Sequence, residues 1–207
     1  MLIFFQEPFS HWCVKAQKIL EFKKIPFDSR RVGYHDKREL IAATGQDYVP
    51  ALVHDGGVVT WPDVPDYLEK IAPEPTIYPQ GTRALARVLE SWAHQRLEEI
   101  VWRFVVPDFP KTFTDDHERW VFEEIQTLKR GPLELMAARR AEFKADLDAH
   151  LQLVEDLLAG RDFLLGARPS LADFAVFGAL DPLPYSGNAI PDVFPRLIAW
   201  QRHIAAL

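Results

Sequence analysis

Ser10-His11-Trp12-Cys13 places a hydroxyl and the single thiol of the chain three residues apart. An apolar run, Leu2-Ile3-Phe4-Phe5, precedes it, and a helical pattern from Val14 to Lys24 follows. The spacing predicts a strand, a tight loop and a helix N-terminus. The outward-pointing N–H groups and the dipole of such a helix end stabilise an anion. An ordinary thiol has a pKa of about 8.5, so thiolate chemistry at neutral pH needs help of this kind. Two readings of the stretch stay open. Either Ser10 polarises the thiol of a bound ligand, or Cys13 is itself the nucleophile. Serine also suits a plain helix cap, and free cysteine is among the most buried residue types. His11 either orients a ligand or lies on the loop surface. Trp12 packs on the ligand site or on a second subunit.

The remaining histidines, His35, His54, His94, His117, His150 and His203, show no H-x-x-x-H spacing, so no metal site is expected. One cysteine excludes a disulfide framework and a two-cysteine redox cycle within the chain, and it points to a reducing, cytoplasmic setting. At 207 residues the chain can bury a full core in one or two domains. With 48% apolar and 26% charged residues, it has a globular composition. A net charge of −6 without a basic stripe argues against nucleic acid as a partner. No apolar run reaches the roughly 18 residues of a membrane helix, and Met1-Leu2-Ile3-Phe4-Phe5-Gln6 lacks the basic start of a signal peptide.

The elements that must position the tetrapeptide can be read along the chain. Strands are expected at Leu2–Phe5, Pro26–Val32, Ala51–His54 and Val58–Thr60, with Asp55-Gly56-Gly57 as a hairpin turn. Helices are expected at Val14–Lys24, Lys37–Ala43 and Asp63–Ile71. The order is β-α-β-α-β-β-α over residues 1–75. A proline-rich stretch near Ala72–Gly81 reads as a linker. From 82 to 207 the pattern is helical: Thr82–Val106, Asp115–Lys129, Pro132–Ala159, Ser170–Leu180 and Phe194–Leu207. Ser170-Leu171-Ala172-Asp173 is a capping box that opens an apolar helix. The fold class is therefore a small α/β domain joined to an all-α bundle.

This order and three local sequences resemble the glutathione S-transferase superfamily. They are the loop at Ser10–Cys13 followed by Ile25-Pro26-Phe27, then Tyr48-Val49-Pro50-Ala51-Leu52 with its hairpin and Tyr67-Leu68, and Pro169–Phe174. The resemblance implies a thioredoxin-like N-terminal domain and a C-terminal helical bundle. It implies a cis Pro50 and a Val49 backbone that pairs with the cysteinyl part of glutathione. Ser10 then aligns with the thiol-activating serine of the serine-type classes. Cys13 takes the second-cysteine position, whereas the omega-like and beta-like classes use the first for a mixed disulfide. The implied activity is addition or removal of a glutathione thiolate at a small electrophile, in a cytoplasmic homodimer with glutathione as co-substrate. A thiol-disulfide or dehydroascorbate-type reductase running through Cys13 is the enzymatic alternative.

The chain departs from the family pattern at Thr60-Trp61-Pro62. The family places an acidic residue and then a serine or threonine there, for the γ-glutamyl end of glutathione. Trp61 has no hydroxyl and Pro62 has no N–H, which leaves Thr60 to compensate. Two lost hydrogen bonds to a charged group amount to about 3 kcal/mol. This departure favours a third reading, a non-catalytic ligand-binding or interaction module. On the helical side, Trp92, Arg96, Trp102, Arg103 and Phe104 are candidates for the second substrate's pocket. A regular helix would put Trp92, Arg96 and Arg103 on one face.

Overall fold

The computed structural model describes residues 1–7 and 9–207. Leu2–Gln6 forms β1, a strand with Leu2, Phe4 and Phe5 buried. It pairs in parallel with β2 (Phe27–Arg31), Phe4 facing Ser29, and antiparallel with β3 (Ala51–His54), Phe4 facing Leu52. β4 (Gly57–Thr60) closes an antiparallel hairpin on β3, so the sheet order is β2-β1-β3-β4. Both turn residues, Asp55 and Gly56, have positive φ (51° and 78°), which the twist of a two-residue hairpin requires. Helices α1 (His11–Phe22), α2 (Arg38–Thr44) and α3 (Val64–Ile71) complete the β-α-β-α-β-β-α order expected from the sequence. Helix α1 starts at His11 rather than Val14, so Cys13 lies in its first turn.

The rest of the chain is helical. Arg83–Trp92 forms α4 and Glu98–Val105 forms α5, with a π-helical turn at Ala93–Leu97 between them. A 3₁₀ turn at Phe109–Thr112 leads to α6 (Asp116–Arg130). The single helix expected over Pro132–Ala159 is broken at Arg139 into α7 (Leu133–Ala138) and α8 (Arg140–Leu157). The break lets α7 pack on α6 while α8 runs along α5 and α11 (Pro195–Ala205). The short helix α10 (Pro182–Tyr185) precedes α11. The chain thus folds as a thioredoxin-like N-terminal domain with a helical C-terminal domain. No helix among the described residues is long and apolar enough to cross a membrane.

Helix α9 (Leu171–Leu180) is the centre of the molecule, and all ten of its residues are buried. Its capping box is formed as the sequence predicts. Asp173 also accepts bonds from Leu164 N–H (2.8 Å), Ser170 N–H (2.9 Å), Ser170 Oγ–H (2.7 Å) and Trp200 Nε1–H (2.9 Å). Helix α1 packs directly against α9, and Gly178 is the point of closest approach. The core of the helical domain therefore fixes where the first turn of α1, and so the tetrapeptide, can sit.

Candidate active site

A polar cavity of about 300 Å³ lies where the loop after β1 meets the helical domain. From the N-terminal side it is lined by Glu7, Ser10, His11, Trp12 and Tyr34, and from the helical side by His94, Glu98, Trp102, Lys129 and Arg130. Ser10 is the N-cap of α1 but makes no side-chain capping bond, so its hydroxyl is not used up by the helix. That hydroxyl lies on the cavity wall at the start of α1. Cys13 itself is 1% exposed and its Sγ accepts from the Glu7 N–H at 3.4 Å. Burial pushes its thiol up to about 12, so it is protonated at neutral pH. Of the two chemistry-bearing ends of the tetrapeptide, Ser10 lines the cavity and Cys13 packs into the core.

His11 is nearly buried and makes contacts that its loop position did not suggest. Its Nε2 lies 3.1 Å from His94 Nδ1, and its Nδ1 lies 3.5 Å from Glu98 Oε1. Burial, then the Lys15 charge, hold its pKa well below the ordinary imidazole value. Trp12 packs at a tilt against His94 and Trp61, with ring centroids 4.0 Å and 5.0 Å away. Beneath them Lys15, fully buried, sets its ammonium 4.3 Å from the Trp12 ring and 3.7 Å from the Trp61 ring. Its charge is paired with Glu90 at 3.0 Å, and burial lowers its pKa to about 8.

Val49, Pro50, Thr60 and Trp61 lie outside the lining of this cavity. The Val49–Pro50 peptide is cis. Val49 packs on the small cluster of Phe5, Val32, Leu40 and Ala51, and Thr60 pairs with Ala51 across the hairpin. Trp61 joins the site indirectly, as the lid over Lys15. On the helical side, Trp102 reaches the cavity. Phe104 is buried under the Arg140 guanidinium at 4.5 Å, Arg103 is tied to Glu99 at 2.8 Å, and Arg96 is exposed. Trp92 stacks on His150 beside a separate apolar cavity of about 550 Å³ lined by Val88, Leu89, Leu153 and Leu157. Trp92, Arg96 and Arg103 do not line the cavity, and a π turn at Ala93–Leu97 interrupts the regular helix on which their common face was expected.

Sequence reasoning missed Glu7, Tyr34, His94, Glu98, Lys129 and Arg130. Only His94 and Glu98 carry a signal, an i,i+4 pair on one helical pattern. Burial raises the pKa of Glu7 to about 7. Burial raises Glu98 and Asp181 to about 7 as well. A carboxyl with a raised folded pKa stabilises the fold at lower pH and loses that contribution as pH rises through 7. His11 and His94, with lowered pKa values, oppose this only below about pH 6.5, and Lys15, lowered to about 8, offsets a small part of it near pH 8. Stability is therefore expected to fall by about 1–2 kcal/mol between pH 6.5 and pH 8. Urea melts at the two pH values check this, and Glu7→Gln should flatten the profile.

A model of the glutathione S-transferase N-terminal domain matches residues 4–76, and one of the C-terminal domain matches residues 137–202. The chain is 29% identical over 186 residues to FtsZ-localized protein A of Caulobacter vibrioides, covering 86% of this chain and 75% of that protein. It is 34% identical over 136 residues to glutathione S-transferase theta-1 of Mus musculus, covering 62% of this chain and 48% of the transferase, so it spans about half the length of that relative. A glutathione S-transferase of Ceriporiopsis subvermispora, solved in complex with glutathione, shares the fold with a TM-score of 0.83 at 17% identity, covering 99% of this chain and 96% of that one. With both domain models matched in order along a thioredoxin-like and helical two-domain fold, the chain belongs to the glutathione S-transferase superfamily.

Proposed function

We propose that this protein is a glutathione-dependent transferase that joins a glutathione thiolate to a small electrophile, or removes it, with Ser10 polarising the thiol. The observation that carries the reading is the pairing of a cavity-lining Ser10 hydroxyl with a buried Cys13 at the N-terminus of α1. Rotation about the Cβ–Oγ bond lets the Ser10 hydroxyl donate to a ligand sulfur held in the cavity. The helix N-terminus then supports the same negative charge. The Val49 backbone would hold the cysteinyl part of the tripeptide, and Thr60 would supply the hydroxyl that Trp61 lacks. The thiol end of the site suits glutathione better than the γ-glutamyl end does. There Lys15 is sealed under Trp61 and paired with Glu90, so its charge is not free for a carboxylate. A homodimer in a reducing, cytoplasmic setting belongs to the same reading.

The test is conjugation of glutathione to a chloronitrobenzene electrophile. Ser10→Ala is expected to lower kcat/KM about 10–100-fold, the worth of one hydrogen bond to a charged group. Loss of disulfide reduction in Cys13→Ser, with Ser10→Ala unaffected, would instead support the reductase reading. A second reading, a ligand-binding or interaction module without catalysis, is favoured by the Trp61 lid over Lys15. It is also favoured by the relative whose name places it with FtsZ. Absence of conjugation together with absence of glutathione binding by calorimetry would support that reading.

A further inference from the structure

We infer that His11, His94 and Glu98 form a binding site for a divalent transition-metal cation of the zinc type. One donor atom from each residue lies within 4.8 Å of the other two. The nearest pair, His11 Nε2 and His94 Nδ1, stands 3.1 Å apart. Two nitrogens bound to one zinc at about 2.0–2.1 Å are roughly 3–3.5 Å apart, so the imidazoles already hold a zinc bite. Two imidazoles and a carboxylate are an established zinc donor set, and three protein ligands leave the fourth position open. All three residues line the cavity that holds Ser10, so that position is available to water or to a soft ligand within it.

The backbone and the neighbouring charges are compatible with a cation. His94 lies in the π turn and Glu98 directly follows it, and π turns concentrate at functional sites. Among the described residues, every ion pair and hydrogen bond to the Glu98 carboxylate involves Oε1, which leaves Oε2 free to ligate. Arg130 reaches Glu98 only at 3.5 Å and keeps a closer partner, Glu99, at 3.1 Å, so Glu98 can turn to a metal without stranding it. The Lys15 charge is taken up by Glu90 and two indole rings. Lys129 is exposed, where solvent and salt screen it. The sequence hides the site because its third ligand, His11, comes from 83 residues before His94.

The experiment titrates zinc chloride into tag-free, chelator-stripped protein by calorimetry and measures bound metal after desalting. One zinc ion retained per chain is the expected result. His94→Ala and Glu98→Gln are each expected to weaken binding by at least the roughly 10–100-fold known for outer-shell partners. Thermal unfolding reports whether each variant folds, and zinc should raise the melting temperature of the wild type and not of the two variants. His150→Ala, which changes a histidine outside the cavity, should bind zinc as the wild type does. If His94→Ala fails to fold, the near-isosteric Glu98→Gln decides. Failure of the wild type to retain zinc, or undiminished binding in a folded variant, would overturn the inference. Neither readout involves glutathione, so the transferase reading stands or falls separately.

Discussion

Asp173→Ala is expected to lower the free energy of unfolding by about 4 kcal/mol. The carboxylate is completely buried and accepts from Leu164 N–H, Ser170 N–H, Ser170 Oγ–H and Trp200 Nε1–H. Truncation leaves two backbone donors and one indole donor without an acceptor in a dry interior. Each unsatisfied donor costs about 1–3 kcal/mol, and such networks are among the few sources of very large single-site losses. A helix cap alone would contribute about 1 kcal/mol. Urea unfolding distinguishes the two magnitudes. A loss near the smaller figure would mean that the bonds to Leu164 and Trp200 contribute little. Asp173→Asn should recover part of the loss, because the amide oxygen still accepts. The effect reaches beyond α9, since Trp200 ties α11 to the same carboxylate.

Gly178→Ala is expected to destabilise by about 3 kcal/mol, opposite in sign to the usual effect. In an ordinary helix interior the change stabilises by about 1 kcal/mol. Here an added Cβ would lie 2.6 Å from the His11 carbonyl oxygen, 3.3 Å from Lys15 N and 3.4 Å from Lys15 Cβ. Two of those three atoms are backbone, so no rotamer change relieves the clash, and α1 must move away from α9. Overpacking costs about 1–3 kcal/mol where side chains yield, and more where they do not. The displaced segment is the first turn of α1, which carries His11 and follows Ser10. On the proposed transferase reading, conjugation activity should therefore fall more than the folded fraction does at a temperature where the variant is still folded. Denaturant melts and kcat/KM measured on the same preparation check both parts. Unchanged stability would show that the two helices separate freely.

Much of the fold was legible because local rules decided it. Asp55-Gly56 specifies a hairpin whose two turn residues take positive φ, and both do. Ser170-x-x-Asp173 specifies a capping box through contacts three residues apart, and the box forms. The alternation of short apolar runs with helical patterns was enough for the β-α-β-α-β-β-α order. The breaks within the helical domain were not legible. Nothing in Ala93-His94-Gln95-Arg96-Leu97 forbids an α-helix, and the π turn there is a property of the packed molecule. The same holds for Arg139, where α7 and α8 part to pack on different neighbours.

The candidate site divides along the same line. The sequence by itself determined that a hydroxyl and a thiol sit at the start of a helix after a buried strand, because strand, loop and helix are set by neighbours in the chain. Which of the two lines the cavity depended on α9 packing against α1, which buries Cys13 and leaves Ser10 on the cavity wall. Tertiary structure alone brought His11 to His94 and Glu98, and set the Trp61 ring over Lys15. Such contacts join residues tens of positions apart, and periodicity says which face of an element is apolar but not which face of another it will meet. The physical reason is that burial, and the proximity of distant charges that burial enforces, belong to the packed core. That is where the thiol was silenced, the imidazoles were kept neutral and the carboxyls of Glu7 and Glu98 were raised toward neutrality.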